Sequence, residues 1–101
     1  MEWFRNALDV GTAATNPQIG DTYYSGDYLE QDYSKALQWY LKASDAGNAS
    51  AMFNIGFMYD DGRGVEKGAG KAMEWYLKAS DAGNASAMFN IGFMYRIGRG
   101  V

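Results

Sequence analysis

The sequence contains the nineteen-residue stretch LKASDAGNASAMFNIGFMY twice, at residues 41–59 and again at 77–95, 36 positions apart. The same register extends toward the N-terminus, where Trp3 aligns with Trp39 and Trp75. Dividing 101 residues by 36 gives about 2.8 copies of one unit. A period of this length without a strand signal is typical of helical repeats, so we predict a single repeat array. Its copies span approximately residues 1–29, 30–65 and 66–101.

The second copy predicts a pair of helices joined by a short turn. Asp32 is a suitable N-cap for a helix A that runs from Tyr33 to about Ala46. Gly47 can supply the left-handed residue that ends many helices. Asn48 follows at once as the N-cap of helix B. Because the turn is short, the two helices are expected to pack antiparallel.

Helix B is predicted from Ala49 to Tyr59 or Asp60, and the next helix A should begin near Ala69. Gly56 lies inside helix B, where glycine costs roughly 1 kcal/mol relative to alanine. We expect a close approach between helices to compensate. Neither helix buries its apolar face alone, so stacked copies should bury the rest. The residues expected in this repeat core are Trp39, Tyr40, Gly56, Tyr59, Trp75, Tyr76, Gly92 and Tyr95.

The pattern A-x-x-W-Y-x-K-A-x-x-x-G-N-A-x-A-x-x-x-I-G-x-M-Y-x-x-G-x-G-V runs from Ala36 to Val65 and recurs from Ala72 to Val101. It resembles the Sel1-like repeat, a relative of the tetratricopeptide repeat. The resemblance covers essentially the whole chain. It implies an all-α fold, an α/α superhelix or solenoid of antiparallel helix pairs. It also implies a non-enzymatic scaffold for protein–protein interaction, with the A helices tending to line the concave side.

Two copies depart from this pattern. Copy one has Asn16-Pro17 where the other copies have Met-Phe, so its helix B should start late, with Asn16 as N-cap and Pro17 at N1. Copy three has Gly68 where copy two has Asp32. The third helix A therefore lacks a carboxylate cap, and its start should fray.

Composition excludes several classes of function. The net charge of −3 and the pI of about 4.7 give no electrostatic reason to bind nucleic acid or an anionic membrane. The absence of cysteine and histidine excludes disulfides, thiolate or imidazole zinc sites, and Ser-His or Cys-His catalysis. No apolar run is long enough to span a membrane, and the first ten residues lack the basic and apolar regions expected of a signal peptide. We therefore expect the protein to have no enzymatic activity and to bind no metal or cofactor. The sequence does not indicate a cellular compartment.

Three short motifs fail as functional sites. The segment GVEKGAGKA at 64–72 lacks the spacing, the Ser or Thr, and the preceding strand of a phosphate-binding loop. The adjacent carboxylates at 60–61 lack the alternating ligands of a calcium loop. The two Asn-Ala-Ser triplets fit a glycosylation acceptor, but their asparagines are expected to cap helices.

The partner-binding surface is expected on the helix A face, where equivalent polar residues recur. The chosen residues are Gln38, Lys42, Glu74 and Lys78. Phe57 and Phe93 are added because they fall between the core positions of helix B and could form an apolar stripe. Burial by the adjacent loop is the alternative for both. Asn54 and Asn90 are expected to tie helix to loop by hydrogen bonds.

Two hypotheses of function follow. The first is an interaction module that binds a peptide or helix of a partner protein. The second is a structural, self-assembling unit, including an engineered or excised repeat fragment, that oligomerises through uncapped ends. End stacking of this type is heterologous and gives a ring or a filament, and exchange of a terminal helix is a further outcome.

Overall fold

The computed structural model describes residues 18–26 and 31–99, and within these ranges it contains helices and no strand. The all-α fold predicted from the repeat is confirmed. The molecule is elongated, measuring 46 × 25 × 16 Å. The five helices are α1 (Gln18–Ser25), α2 (Tyr33–Asp45), α3 (Ala49–Asp61), α4 (Ala69–Asp81) and α5 (Ala85–Ile97).

The caps of α2 and α3 are those predicted from the sequence. The Asp32 carboxylate accepts the backbone N–H of Lys35 at 3.0 Å, and the Asn48 side chain accepts that of Ala51 at 2.9 Å. Gly47 lies between the two helices with φ +91, a conformation that side-chain-bearing residues rarely adopt. These local signals explain why the bounds of both helices agree with the prediction to within two residues.

The third copy begins without a side-chain cap, as predicted. Gly68 occupies the N-cap of α4 and offers no side-chain hydrogen bond, yet α4 still begins at Ala69. Asn84 caps α5 by accepting a backbone N–H three residues later at 2.8 Å. The cap predicted for residues 16–17 lies outside the described residues.

Each helix from α2 to α5 packs against the helix that precedes it in the chain, and the most extensive contact joins α3 to α4. Because α3 belongs to the second copy and α4 to the third, this contact is the joint between repeats. A backbone hydrogen bond from Gly68 N–H to the Tyr59 carbonyl, 2.9 Å long, closes the connecting loop. Val65 packs back against the core.

Two buried clusters form the core, and most of their members are related by the 36-residue period. Alanines dominate both clusters, so the helices can approach closely while tyrosine and methionine fill the space between them. The first cluster is Ala36, Tyr40, Ala43, Ala51, Ile55 and Met58. The second is Ala72, Met73, Tyr76, Ala79, Ala87 and Met94.

Successive copies contact each other where a tyrosine ring packs directly against a glycine, a contact called here the tyrosine–glycine joint. A Cβ added to Gly56 would lie 2.7 Å from two ring carbons of Tyr76, and one added to Gly20 would lie 2.6 Å from the Tyr40 ring. Any side chain at these positions would displace the ring. The close approach expected at Gly56 is therefore the contact of a tyrosine ring with the helix backbone.

Two residues expected in the core are exposed. Tyr95 is 61% exposed, and Gly92 is exposed with no atom within 4 Å of an added Cβ. Their equivalents in α3 are half-buried Tyr59 and buried Gly56. Since α4 covers α3 but no described helix covers α5, identical residues have different surroundings. Trp39 and Trp75 are half-buried, and Trp75 packs against the first cluster.

Candidate functional site: two equivalent clefts between helices

The four polar residues selected on the helix A face are exposed, and three of them have partners on their own helix. The Lys42 ammonium lies 4.2 Å from the centre of the Trp39 ring. Lys78 repeats this contact with Trp75 at 4.3 Å. Glu74 forms an ion pair with Lys71 at 3.6 Å, and Gln38 is exposed to solvent.

Phe57 and Phe93 do not join that polar set but line two clefts between successive B helices. They are 42% and 47% exposed, so the alternative that the loop buries them is wrong. Each cleft has a buried helix A tyrosine among its lining residues and has a Phe-Asn-x-x-Phe stretch of helix B along one side. The clefts repeat at the 36-residue period.

The first cleft has a volume of about 280 Å³ and contains the Asp21 carboxylate, which accepts hydrogen bonds from two neutral side chains. The Tyr40 hydroxyl donates to Asp21 Oδ1 at 2.5 Å, and the Asn54 amide donates to the same oxygen at 3.3 Å. Asp21 lies on α1, so the hydrogen bond of Asn54 joins two helices. The expectation that it ties helix to loop is therefore wrong. The cleft is lined by Asp21, Tyr24, Tyr40, Phe53, Asn54 and Phe57.

The second cleft has a volume of about 320 Å³ and contains a paired carboxylate. Arg99 lies 2.6 Å from Asp60 Oδ1 and also donates to the Asp60 carbonyl at 3.2 Å. The Tyr76 hydroxyl is buried and has no hydrogen-bond partner of ordinary geometry among the described residues. The cleft is lined by Asp60, Tyr76, Phe89, Asn90, Phe93, Met94 and Arg99.

The clefts differ at two equivalent positions on the preceding B helix. Asp21 in copy one corresponds to Phe57 in copy two, and Tyr24 corresponds to Asp60. The first cleft therefore has a carboxylate held by neutral donors. The second has a carboxylate neutralised by a guanidinium. The tyrosine, asparagine and phenylalanine positions are unchanged between the two.

Both tyrosines are disfavoured from ionising. Burial, followed by the hydrogen bond to Asp21, raises the pKa of Tyr40. Burial, followed by the negative charge of Asp60, raises the pKa of Tyr76 to about 12. Each hydroxyl therefore stays protonated at neutral pH. In the first cleft the neutral hydroxyl serves as a donor to the carboxylate.

The cleft residues missed by sequence reasoning are Asp21, Tyr24, Asp60 and Arg99. The repeated Phe-Asn-x-x-Phe spacing could have indicated the wall formed by helix B. Nothing local in the sequence indicates that Asp21 meets Asn54, 33 residues away. Among the described residues, no three acidic, histidine or cysteine side chains converge as metal ligands. None of the described helices has the length and hydropathy needed to cross a bilayer.

Comparisons with known proteins agree with this architecture. The family model described as "Sel1 repeat" matches residues 18–48, 49–84 and 85–101, so each matched segment begins close to a B helix. No curated protein matches the sequence.

The solved structures that are similar to the chain include three proteins from different bacteria. A Sel1 repeat protein from Oxalobacter formigenes has 36% identity and a TM-score of 0.87 over 96% of this chain and 42% of its own. The antigen c5321 of uropathogenic Escherichia coli, described as having an SLR fold, has 35% identity and a TM-score of 0.90 over 100% of this chain and 22% of its own. Cysteine rich protein B of Helicobacter pylori has 26% identity and a TM-score of 0.74, with 86% and 65% covered.

The chain thus spans less than half the length of the first two structures. The family match extends over most of the chain and coincides with its helix pairs. Helix order, repeat period and sequence agree, and the chain belongs to the Sel1 repeat family.

Proposed function

We propose that this chain is a non-enzymatic interaction module that binds a peptide segment of a partner protein across the two clefts. Sel1 repeat proteins generally take part in protein–protein interactions and generally lack enzymatic activity. The observation that carries the proposal is the recurrence of one half-exposed aromatic cleft at the repeat period.

The physical argument rests on exposure and volume. Phe57 and Phe93 expose large apolar areas to water beside the buried tyrosines Tyr40 and Tyr76. Burying such area against a ligand is favourable by roughly 25 cal/mol per Å². The volumes of the two clefts, about 280 and 320 Å³, fall just below and just above the lower limit of the roughly 300–1,000 Å³ found for small-molecule sites. That size suits single side chains of a peptide spanning both clefts.

The exposed helix A residues form the competing surface for the same function. Lys42 and Lys78 already contact indole rings, and Glu74 already pairs with Lys71. A partner would have to replace these contacts. The clefts offer apolar area that no described residue covers, so they are the favoured surface.

The test is a selection of a random peptide library on the immobilised protein. Selected peptides are then measured against two double variants, Phe57→Ser with Phe93→Ser and Lys42→Glu with Lys78→Glu. We expect the first variant to weaken binding at least tenfold and the second to change it little, with melting temperatures showing that both fold. The reverse pattern would move the partner to helix A, and no saturable binder would refute the module.

A second candidate function, self-assembly, is favoured by the free face of α5. The sequence ASAMFNIGFMY is identical in α3 and α5. On α3 this surface packs against α4, whereas on α5 Met88, Phe89 and Tyr95 are 51%, 75% and 61% exposed. We propose that a helix A from a second copy of the chain covers α5 as α4 covers α3.

The measurement is absolute mass by light scattering over a wide concentration range. Self-assembly predicts a mass that rises above 11.2 kDa with concentration. Gly92→Leu should restore the monomer, because its side chain would occupy the place of the incoming tyrosine ring, and its Cβ would have no atom within 4 Å in the free chain. A constant monomeric mass would exclude this candidate.

A further inference from the structure

The two clefts are equivalent in architecture but differ in charge. Asp21 is exposed and lies beside the aromatic side chains of the first cleft. The described ion pairs are Asp61–Arg63, Lys71–Glu74 and Asp60–Arg99, and none includes Asp21. Its two cleft partners, Tyr40 and Asn54, are neutral donors. No described cation therefore neutralises this carboxylate.

Among the described residues, Arg63 contacts the lining residue Tyr24, and its charge is already balanced by Asp61. Its guanidinium lies 2.5 Å from the Asp61 carboxylate. It also donates to the Tyr24 and Tyr33 hydroxyls at 3.3 and 3.4 Å. These contacts hold Arg63 on the rings of Tyr24 and Tyr33 and leave Asp21 without a cationic partner in the described part of the chain.

The aromatic lining of the first cleft suits a long cationic side chain. Tyr24, Phe53 and Phe57 can cover the methylene stem of a lysine or arginine, while the charged head reaches the carboxylate. Ring faces also attract a cation within about 6 Å, by roughly 0.5–1 kcal/mol at exposed sites. Aromatic lining and an unpaired carboxylate thus favour the same kind of ligand.

The second cleft favours a different kind of ligand side chain from the first. The residue equivalent to Asp21 is Phe57, which is not among the lining residues of the second cleft, and Arg99 neutralises Asp60. The remaining lining is dominated by Phe89, Phe93 and Met94. An apolar or aromatic side chain matches this surface, and a lysine would have no unpaired anion there.

We propose that the first cleft binds a lysine or arginine side chain and the second an apolar side chain of the same partner peptide. This rests on the proposed module and names its ligand class. Packed helices lie roughly 10 Å apart, and an extended peptide rises about 3.3 Å per residue. The basic and apolar residues should therefore be separated by two or three others.

The test uses the peptides selected on the wild-type protein. We expect them to share a lysine or arginine three or four positions from a large apolar residue. One such peptide and its copy with norleucine in place of the basic residue are then titrated by fluorescence anisotropy. The proteins are wild type, Asp21→Asn, and Asp45→Asn as a matched control that removes an exposed carboxylate outside the clefts.

Asp21→Asn should weaken binding of the basic peptide about tenfold and leave the norleucine peptide unchanged. Asp45→Asn should change neither, and the difference between peptides should shrink at high salt. Binders without a basic residue, or equal losses for both peptides, would overturn the charge assignment while leaving the module intact. Failure to select any binder would overturn both.

Discussion

Two glycines with identical sequence surroundings should respond oppositely to the same substitution. Alanine is favoured over glycine inside a helix by about 1 kcal/mol. At Gly92 an added Cβ meets no atom within 4 Å, so Gly92→Ala should gain up to about that amount. For a domain of this size, 1 kcal/mol corresponds to roughly 4–8 °C in Tm.

Gly56→Ala gains the same propensity but forces the Tyr76 ring aside. The new Cβ would lie 2.7 Å from Tyr76 Cδ1 and Cε1, and 3.3 Å from the Ala72 carbonyl oxygen. Overpacking of this kind costs about 1–3 kcal/mol. The net effect is a loss of about 0–2 kcal/mol, so the two variants should differ by about 1–3 kcal/mol.

Urea unfolding followed by circular dichroism measures both variants at low micromolar concentration. Gly20→Ala is a second test of the joint, because its Cβ would lie 2.6 Å from the Tyr40 ring, and it should resemble Gly56→Ala. If Gly56→Ala stabilised the protein as much as Gly92→Ala does, the tyrosine–glycine joint would be refuted.

Three further predictions concern caps, pH and surface charge. Gly68→Asp should raise the free energy of unfolding in urea by about 0.5–1 kcal/mol, because the backbone at Gly68 (φ −157, ψ 106) already suits an N-cap of α4. A variant no more stable than the wild type would contradict this prediction. Raising the pH should leave the free energy of unfolding unchanged below about pH 9 and lower it between pH 10 and 12. The reason is that the pKa of Tyr76 rises to about 12 on folding, so the tyrosine of the unfolded chain loses its proton first. Tyr76→Phe should make this decline shallower, and an unaltered slope would count against the burial of the hydroxyl. Lys42→Glu with Lys78→Glu should lower stability by no more than about 1–2 kcal/mol, because each exposed ammonium–indole contact contributes about 0.5–1 kcal/mol; a larger loss in Tm would show a structural role.

Helix bounds were predictable because their determinants are local. Asp32 and Asn48 cap their helices through backbone groups three residues away, and Gly47 ends α2 through its own φ. Each signal acts within a few residues, so the sequence alone carries it. The same holds for the absent cap at Gly68.

The clefts were not predictable because their determinants are tertiary. Asp21 meets Tyr40 and Asn54 only after α1, α2 and α3 have packed together. Tyr95 also shows the limit of repeat equivalence, since its sequence matches the half-buried Tyr59 but no described helix covers it. Periodicity predicts which positions are equivalent, and neighbouring helices decide which of them are buried.

The tyrosine–glycine joint has a consequence for how the gene can change. Each 36-residue unit carries both residue types of the joint: the second copy has Tyr40 and Gly56, and the third has Tyr76 and Gly92. A crossover between the identical stretches at 41–59 and 77–95 would add or remove one whole unit. Every helix A tyrosine in the product would still pack against a glycine of the preceding copy. The number of repeats can therefore vary by recombination without any compensating mutation.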